Sequence, residues 1–174
     1  MIKNIFLDRD GIVNEVVIRD KKIESPRSLN EFKINKDFIE IYNVLRKKDY
    51  NFFIASNQPD VARNKMSLGL LKEIDTILLS KFTLTEILYC IHSDIDNCNC
   101  RKPKPGMIKS TLLKYNLLAS ESIFVGDSWK DIECGKKAGV QTVFLKREYN
   151  KDQNCSPDFV INNLFELLQL QLWN

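Results

Sequence analysis

The sequence predicts an α/β fold, with one central parallel sheet and helices on both of its faces. Three observations carry that expectation. Short apolar runs, among them Ile5-Phe6-Leu7, Phe52-Phe53-Ile54-Ala55 and Ile123-Phe124-Val125, have the length of buried strands. Between them lie longer segments with apolar residues at helical spacing, so strand and helix alternate along the chain. Four of the connections carry polar or charged clusters: Asp8/Asp10, Ser56/Asn57, Arg101/Lys102 and Asp127/Asp131. In a parallel sheet such connections open on one edge, where sites of open α/β sheets form.

The first strand, Ile5-Phe6-Leu7, stops abruptly at Asp8. Residues 15–32 are an excursion, mostly polar beyond Ile18 and containing Ser25-Pro26-Arg27-Ser28. A small hairpin or flap is expected there, because a loop this long in a compact domain is functional or disordered. Phe38, Ile39, Ile41, Tyr42, Val44 and Leu45 predict a helix over 37–48. Residues 51–55 are the second strand, which ends in the turn-rich Ser56-Asn57-Gln58-Pro59-Asp60. A helix over 68–82 follows, with Ser67 as its cap. Residues 86–89 are the third strand and run into a stretch rich in cysteine. Arg101-Lys102-Pro103-Lys104-Pro105-Gly106 is irregular, since proline removes backbone donors and fixes φ. A helix over 107–115, a strand over 122–125, a helix over 129–138 stopped by Gly139, and a strand over 141–145 come next. The chain ends in a short apolar run at 159–161 and a final helix over 164–172.

With 174 residues, and no internal repeat, low-complexity segment or linker, residues 1–174 are expected to form a single domain. Hydrophobic residues make up 44% and charged residues 28%, which excludes a disordered chain. No apolar run approaches the roughly 20 residues of a membrane span. The N-terminus lacks the pattern of a signal peptide, so a cytoplasmic protein is expected, with no membrane partner. A net charge of +3 is too small to argue for a nucleic-acid partner. A zinc-knuckle-like RNA binder is also disfavoured, because few aromatics interleave with the basic residues. A monomer is expected.

Two constellations carry chemistry. Asp8 and Asp10 flank one residue at a strand tip and precede Gly11. Carboxylates that close need a cation or a shared proton. The arrangement suits Mg2+, with one carboxylate as nucleophile and the second handling protons. Cys90, His92, Cys98 and Cys100 fall within eleven residues, and His92 is the only histidine in the chain. One imidazole and three thiols make a closed tetrahedral set for structural Zn2+, so 90–100 is a candidate zinc loop. Because Arg101 and Lys102 follow Cys100 directly, metal there would also position the lysine. Cys134 and Cys155 lie apart and are expected to be inert.

Taken together, Asp8-Arg9-Asp10-Gly11, Ser56 after a buried strand, Lys102, and Gly126-Asp127 with Asp131 resemble the four motifs of the haloacid dehalogenase superfamily of phosphotransferases. The resemblance spans nearly the whole chain in the right order. Arg101-Lys102-Pro103-Lys104-Pro105-Gly106-Met107 after the cysteine loop, with Ser56-Asn57-Gln58 and Ala62-Arg63, is similar to its subfamily IIIA, the heptose bisphosphate phosphatase and histidinol-phosphatase group. The resemblance implies a Rossmann-like sandwich with no large cap domain. It makes Asp8 the nucleophile, giving an aspartyl-phosphate, and Asp10 the general acid and base. Asp8, the Asp10 backbone carbonyl and Asp127 would ligate Mg2+. Ser56 and Lys102 would hold the transferring phosphoryl group. Asp131 would support Lys102 or the metal's water shell. Asn57, Gln58, Arg63 and Arg101 would contact substrate.

The chain departs from the group's usual pattern at Pro59-Asp60, where Ser-Gly is common, and at Ile91, where Pro is common. Its cysteine loop is short, and residues 15–29 lack the usual Gly-Tyr-Val. These changes lie where a sugar would be read. The expected substrate is a phosphorylated sugar, by resemblance D-glycero-D-manno-heptose 1,7-bisphosphate losing its 7-phosphate on the way to a surface polysaccharide. The alternatives are histidinol phosphate and, in a different class, a phospho-receiver module without turnover. Asp10 argues against the receiver, because its carboxyl would release the phosphate.

Overall fold

The structure is a computed structural model that describes residues 1–172. In chain order the regular elements are β1 (Asn4–Leu7), β2 (Val17–Arg19), β3 (Lys22–Glu24), α1 (Lys36–Leu45), β4 (Asn51–Asn57), α2 (Leu68–Lys81), β5 (Glu86–Cys90), α3 (Gly106–Lys114), β6 (Ser122–Gly126), α4 (Trp129–Ala138), β7 (Gln141–Leu145) and β8 (Phe159–Ile161). Six strands form one parallel sheet in the order β5-β4-β1-β6-β7-β8. β2 and β3 pair antiparallel as a separate hairpin within the 15–32 excursion. The apolar run at 159–161 is the sixth strand, closing one edge beside β7.

The sheet is buried on both faces, as its side-chain alternation requires. Ile5 and Leu7 of β1 point into a core with Phe38, Ile41 and Tyr42 of α1 and Ile74 and Leu78 of α2. Phe6 points the other way, into a core with Phe53, Phe124, Met107 and Ile108, closed by Cys134 and Ala138 of α4. Phe6 and Phe53 stack with centroids 4.7 Å apart. No helix among the described residues is long and apolar enough to cross a membrane.

Strand β4 runs two residues further than expected, to Asn57, and two helix ends move by three residues. α1 ends at Leu45 rather than residue 48, because Arg46, Lys47 and Lys48 offer nothing to bury and the chain tightens there, Lys48 donating to the Leu45 carbonyl at 3.0 Å. The final helix is instead a 3-10 segment, Leu164–Gln169. Its buried residues, Leu164 and Leu167, are three apart, the period of a 3-10 turn. The chain then turns, Leu172 donating to the Leu170 carbonyl at 2.7 Å, and the Leu172 carbonyl accepts from the Ile2 N–H at 3.2 Å.

Register positions the site. Leu7 is level with Ile54 on one side and Val125 on the other. The residues just beyond, Asp8, Ser56 and Asp127, therefore emerge together at the carboxyl edge of three adjacent strands.

Candidate active site

Asp8 follows the last residue of β1, its N–H donating to the Val125 carbonyl at 2.9 Å. Asp127 follows β6, and Asp131 lies in the first turn of α4. One carboxylate oxygen from each of the three lies within 4.8 Å of the others. Two glycines permit this crowding. Gly11 has φ +93°, and a Cβ there would stand 2.0 Å from Asp127 Oδ2. A Cβ on Gly126 would stand 2.3 Å from the Asp131 Cβ.

Lys102 enters this acidic cluster from the loop after β5 and is only 3% exposed. Its Nζ lies 2.8 Å from Asp8 Oδ1 and 2.6 Å from Asp131 Oδ1, and donates to the Ala55 carbonyl at 2.8 Å. Asp131 is itself fixed by the Ser128 N–H, 2.9 Å from its Oδ2. Three carboxylates thus face one ammonium. Burial pushes Asp8 up to about 7 despite the opposing pull of Lys102, and Asp131 and Asp10 add to the rise. Asp127 is also driven well above the ordinary carboxylate range, first by burial and then by Asp8 and Asp131. Lys102 is raised, because the two acids outweigh the cost of burying its charge. An excess of buried negative charge that prefers protons is the electrostatic condition for a cation site. The donors are all hard oxygens, as Mg2+ requires.

Asp10 is held differently. Arg9, fully buried, grips it with Nε at 3.0 Å and Nη2 at 2.9 Å from Oδ1, and Nη2 at 3.1 Å from Oδ2. Asn14 donates to Oδ1 at 2.9 Å, while Ser25 and Gln58 donate to Oδ2 at 2.6 and 2.8 Å. Burial alone would raise Asp10, but Arg9 and these donors outweigh it and hold the acid below its ordinary value.

Ser56 is buried beside Gln58, whose amide donates to its Oγ at 3.0 Å. Gln58 corrects an expectation. It is wholly buried beneath the site, bonded to Asp10 and Ser56, and cannot contact substrate directly. Asn57 lines the pocket, yet its amide is committed to the Lys102 main chain, donating to the carbonyl and accepting from the N–H, both at 3.0 Å. Arg63 and Arg101 do line the pocket, a cavity of about 410 Å3.

The sequence reading missed several side chains. Tyr149, just beyond β7, donates its hydroxyl to Asp127 Oδ2 at 2.5 Å, and Asn150 donates to the Asp127 carbonyl at 2.8 Å. A hydroxyl and an amide just past a strand end were the available signal. Ser25 comes from the excursion, and Arg9 lies inside the first motif without a role assigned to it.

The second cluster joins Cys90, His92, Cys98 and Cys100. Cys90 Sγ is 3.6 Å from Cys98 Sγ and 3.7 Å from His92 Nδ1, and Cys100 Sγ is 3.3 Å from both. Ordinary zinc–ligand lengths in a tetrahedron give edges of about 3.6–3.8 Å, so the four donors fit that ion. Burial pushes the Cys90 thiol up to about 12, whereas hydrogen bonds from Cys100 and others bring Cys98 down to about 7 against its desolvation.

Residues 99–167 match a family model described as HAD-hydrolase-like. The D-glycero-alpha-D-manno-heptose-1,7-bisphosphate 7-phosphatase of Campylobacter jejuni is 32% identical, over 95% of this chain and 94% of its own. The D-glycero-beta-D-manno-heptose-1,7-bisphosphate 7-phosphatase of Neisseria meningitidis is 34% identical, over 81% of this chain and 78% of its own. Among solved structures, the D,D-heptose 1,7-bisphosphate phosphatase of B. bronchiseptica, complexed with magnesium and phosphate, superposes with a TM-score of 0.82 at 26% identity, covering 97% of this chain and 99% of that one.

Proposed function

The chain belongs to the haloacid dehalogenase-like hydrolase family and is a phosphatase, and from that premise we propose that it removes the 7-phosphate of D-glycero-D-manno-heptose 1,7-bisphosphate. The observation that carries the reading is the Lys102 ammonium set between Asp8 and Asp131, with Asp127 against the same cluster. It supplies a nucleophile, a phosphate-binding cation and a cation site at one point. The relatives' names favour a heptose bisphosphate over histidinol phosphate.

Asp8 attacks phosphorus, and the bond from phosphorus to the sugar oxygen breaks as Asp10, ionised beside Arg9 in the free protein and protonated when the phosphate dianion binds, gives that oxygen a proton. The aspartyl-phosphate on Asp8 is then attacked by water, whose proton passes to the Asp10 carboxylate, releasing phosphate and restoring Asp8. Arg9, Asn14, Ser25 and Gln58 fix the direction of the Asp10 carboxyl through both steps. Lys102 and Ser56 hold the phosphoryl oxygens, and Asp131 aims Lys102. Mg2+ held by Asp8, the Asp10 carbonyl and Asp127 supplies positive charge that offsets carboxylate–phosphate repulsion. Tyr149 holds the Asp127 carboxylate in place. Zn2+ on Cys90, His92, Cys98 and Cys100 is structural, since four protein donors leave no open position. Gln58 acts by orienting Asp10 and Ser56, not by touching sugar.

Steady-state phosphate release with Mg2+ from both anomers of the heptose bisphosphate, histidinol phosphate and hexose phosphates tests the reading. A heptose bisphosphate is expected to have the highest kcat/KM. A preference for histidinol phosphate, or no release from either anomer, overturns it. Asp8→Asn is expected to abolish turnover, and near wild-type activity would remove Asp8 as the nucleophile.

A further inference from the structure

Resting on the reading of Asp10 as the proton donor above, we propose that Tyr89 and Asp75 are positioning residues, the outer links of a chain Asp75–Tyr89–Arg9–Asp10 that fixes the guanidinium aiming the acid. The chain starts from the pairing of Arg9 with Asp10. Arg9 presents Nε and Nη2 to the carboxylate, one edge of a planar fork. Such a contact carries geometry as well as charge, so a guanidinium that tilts takes the carboxylate with it. Whatever else holds Arg9 therefore bears on the chemistry.

The second hold is Tyr89. It lies in β5, level with Ser56 of β4, and the centroid of its ring is 5.7 Å from the Arg9 Cζ. Burial works against the Arg9 charge, and Asp10 first and Tyr89 second sustain it. The Tyr89 hydroxyl donates to Asp75 Oδ1 at 2.5 Å. With its one proton committed there, the phenol oxygen has only lone pairs to offer a cation.

Asp75 belongs to α2, beside the buried Ile74 that packs this helix on the sheet. Burial raises the Asp75 carboxyl, while the Tyr89 hydrogen bond and the charge of Arg9 draw it down. Two carboxylates from different elements thus act on one buried cation, and the phenol links the farther one. Arg9 has no exposed surface, whereas Tyr89 and Asp75 are half-buried. Neither of those two lines the catalytic pocket. The chain therefore runs from the reacting centre out to α2, and its outer links can be changed without altering a substrate contact.

The test is dependence on the leaving group. An alkoxide needs the proton from Asp10, and p-nitrophenolate leaves without one. Because kcat/KM covers only the steps up to departure of the leaving group, it isolates that proton transfer. It is measured on p-nitrophenyl phosphate and on whichever sugar phosphate the protein hydrolyses best, so the outcome is separate from the heptose assignment. Tyr89→Phe and Asp75→Ala are expected to lose about tenfold on the sugar phosphate and at most about twofold on the aryl ester, part of the roughly 10²–10⁴-fold that a positioned acid supplies. Asp75→Asn, which keeps an acceptor for the phenol, should retain most of the activity on both. Equal losses on the two substrates, no loss, or Asp75→Asn falling as far as Asp75→Ala overturns the chain. Asp10→Asn sets the scale. A loss there confined to the sugar phosphate, with none in the Tyr89 and Asp75 variants, overturns the chain and keeps Asp10 as the acid. A uniform loss in Asp10→Asn overturns the acid role and the chain together.

Discussion

Replacing Arg9 with methionine removes the only cation from a buried ion pair at the heart of the site. The guanidinium has no exposed surface, and the Asp10 side chain is 15% exposed. Truncating one partner of a buried pair costs about 3–5 kcal/mol, because the remaining charge is stranded. Asp10 keeps donors from Asn14, Ser25 and Gln58, which places the expected loss at the lower end, about 3 kcal/mol. For a domain of this size that is a fall in Tm of about 6–12 °C. The pH dependence follows from the direction of the Asp10 shift. Held below its ordinary value, Asp10 contributes stability above its unfolded pKa of roughly 4 and loses it as pH falls through the folded value. Arg9→Met abolishes that contribution, so its penalty holds from neutral pH down to about pH 4 and shrinks as pH falls further, through the folded value. Urea unfolding of Arg9→Met, Asp10→Asn and the double variant closes the cycle. If the stranded charge is the cause, Asp10→Asn recovers most of the loss. A cost below about 1 kcal/mol at neutral pH, or no recovery in the double variant, refutes the reasoning.

The acidic cluster predicts a linkage between Mg2+ and pH. Without metal, Asp8, raised to about 7, contributes stability below its ordinary pKa and loses it as pH rises through 7. Mg2+ needs the ionised carboxylates, so the rise in Tm on adding Mg2+ should grow between about pH 5 and pH 8; melts that show a constant or shrinking rise contradict this. Cys100→Ser should leave the protein without bound zinc, lower its Tm, and reduce kcat/KM at least about tenfold, because the lysine loop begins at that ligand. Metal analysis alongside melts and rates checks this, and full activity in zinc-free protein would separate the two sites.

The fold and the centre of the site were legible for one physical reason: in a parallel sheet, register converts strand ends into neighbours. Asp8, Ser56 and Asp127 each end an apolar run, and Leu7 being level with Ile54 and Val125 brings them together. The cysteine cluster was legible because its spacing is local. What failed depended on side-chain direction. Gln58 looks like a pocket residue, but its N–H donates to the Cys90 carbonyl at 2.7 Å and its side chain turns beneath Asp10. Tyr149 reaches Asp127 across 22 positions from a stretch without periodicity. The segment at 164–172 has the composition of a helix, but it buries Leu164 and Leu167 at 3-10 spacing and then turns, so that Leu172 meets Ile2 just before β1.

Asp60 shows how a departure from a family pattern can be structural. It stands where the group usually has glycine, next to residues expected to read a sugar, which invites a reading as altered specificity. Its carboxylate instead accepts from Arg27 Nε at 2.7 Å, and Arg27 also pairs with Glu24 at 2.9 Å. Arg19 meets the same Glu24 at 3.0 Å and pairs with Glu31 as well. The hairpin of β2 and β3 has only three residues per strand and no core beneath it, so little besides this chain of ion pairs can hold its position. Through Arg27 and Asp60 it is tied to the loop after β4, and through Ser25 to Asp10. One end of the hairpin therefore orients the Asp10 carboxyl while the rest walls the pocket. Loosening the clasp would disturb chemistry and selectivity together, which a residue that only read the sugar would not do.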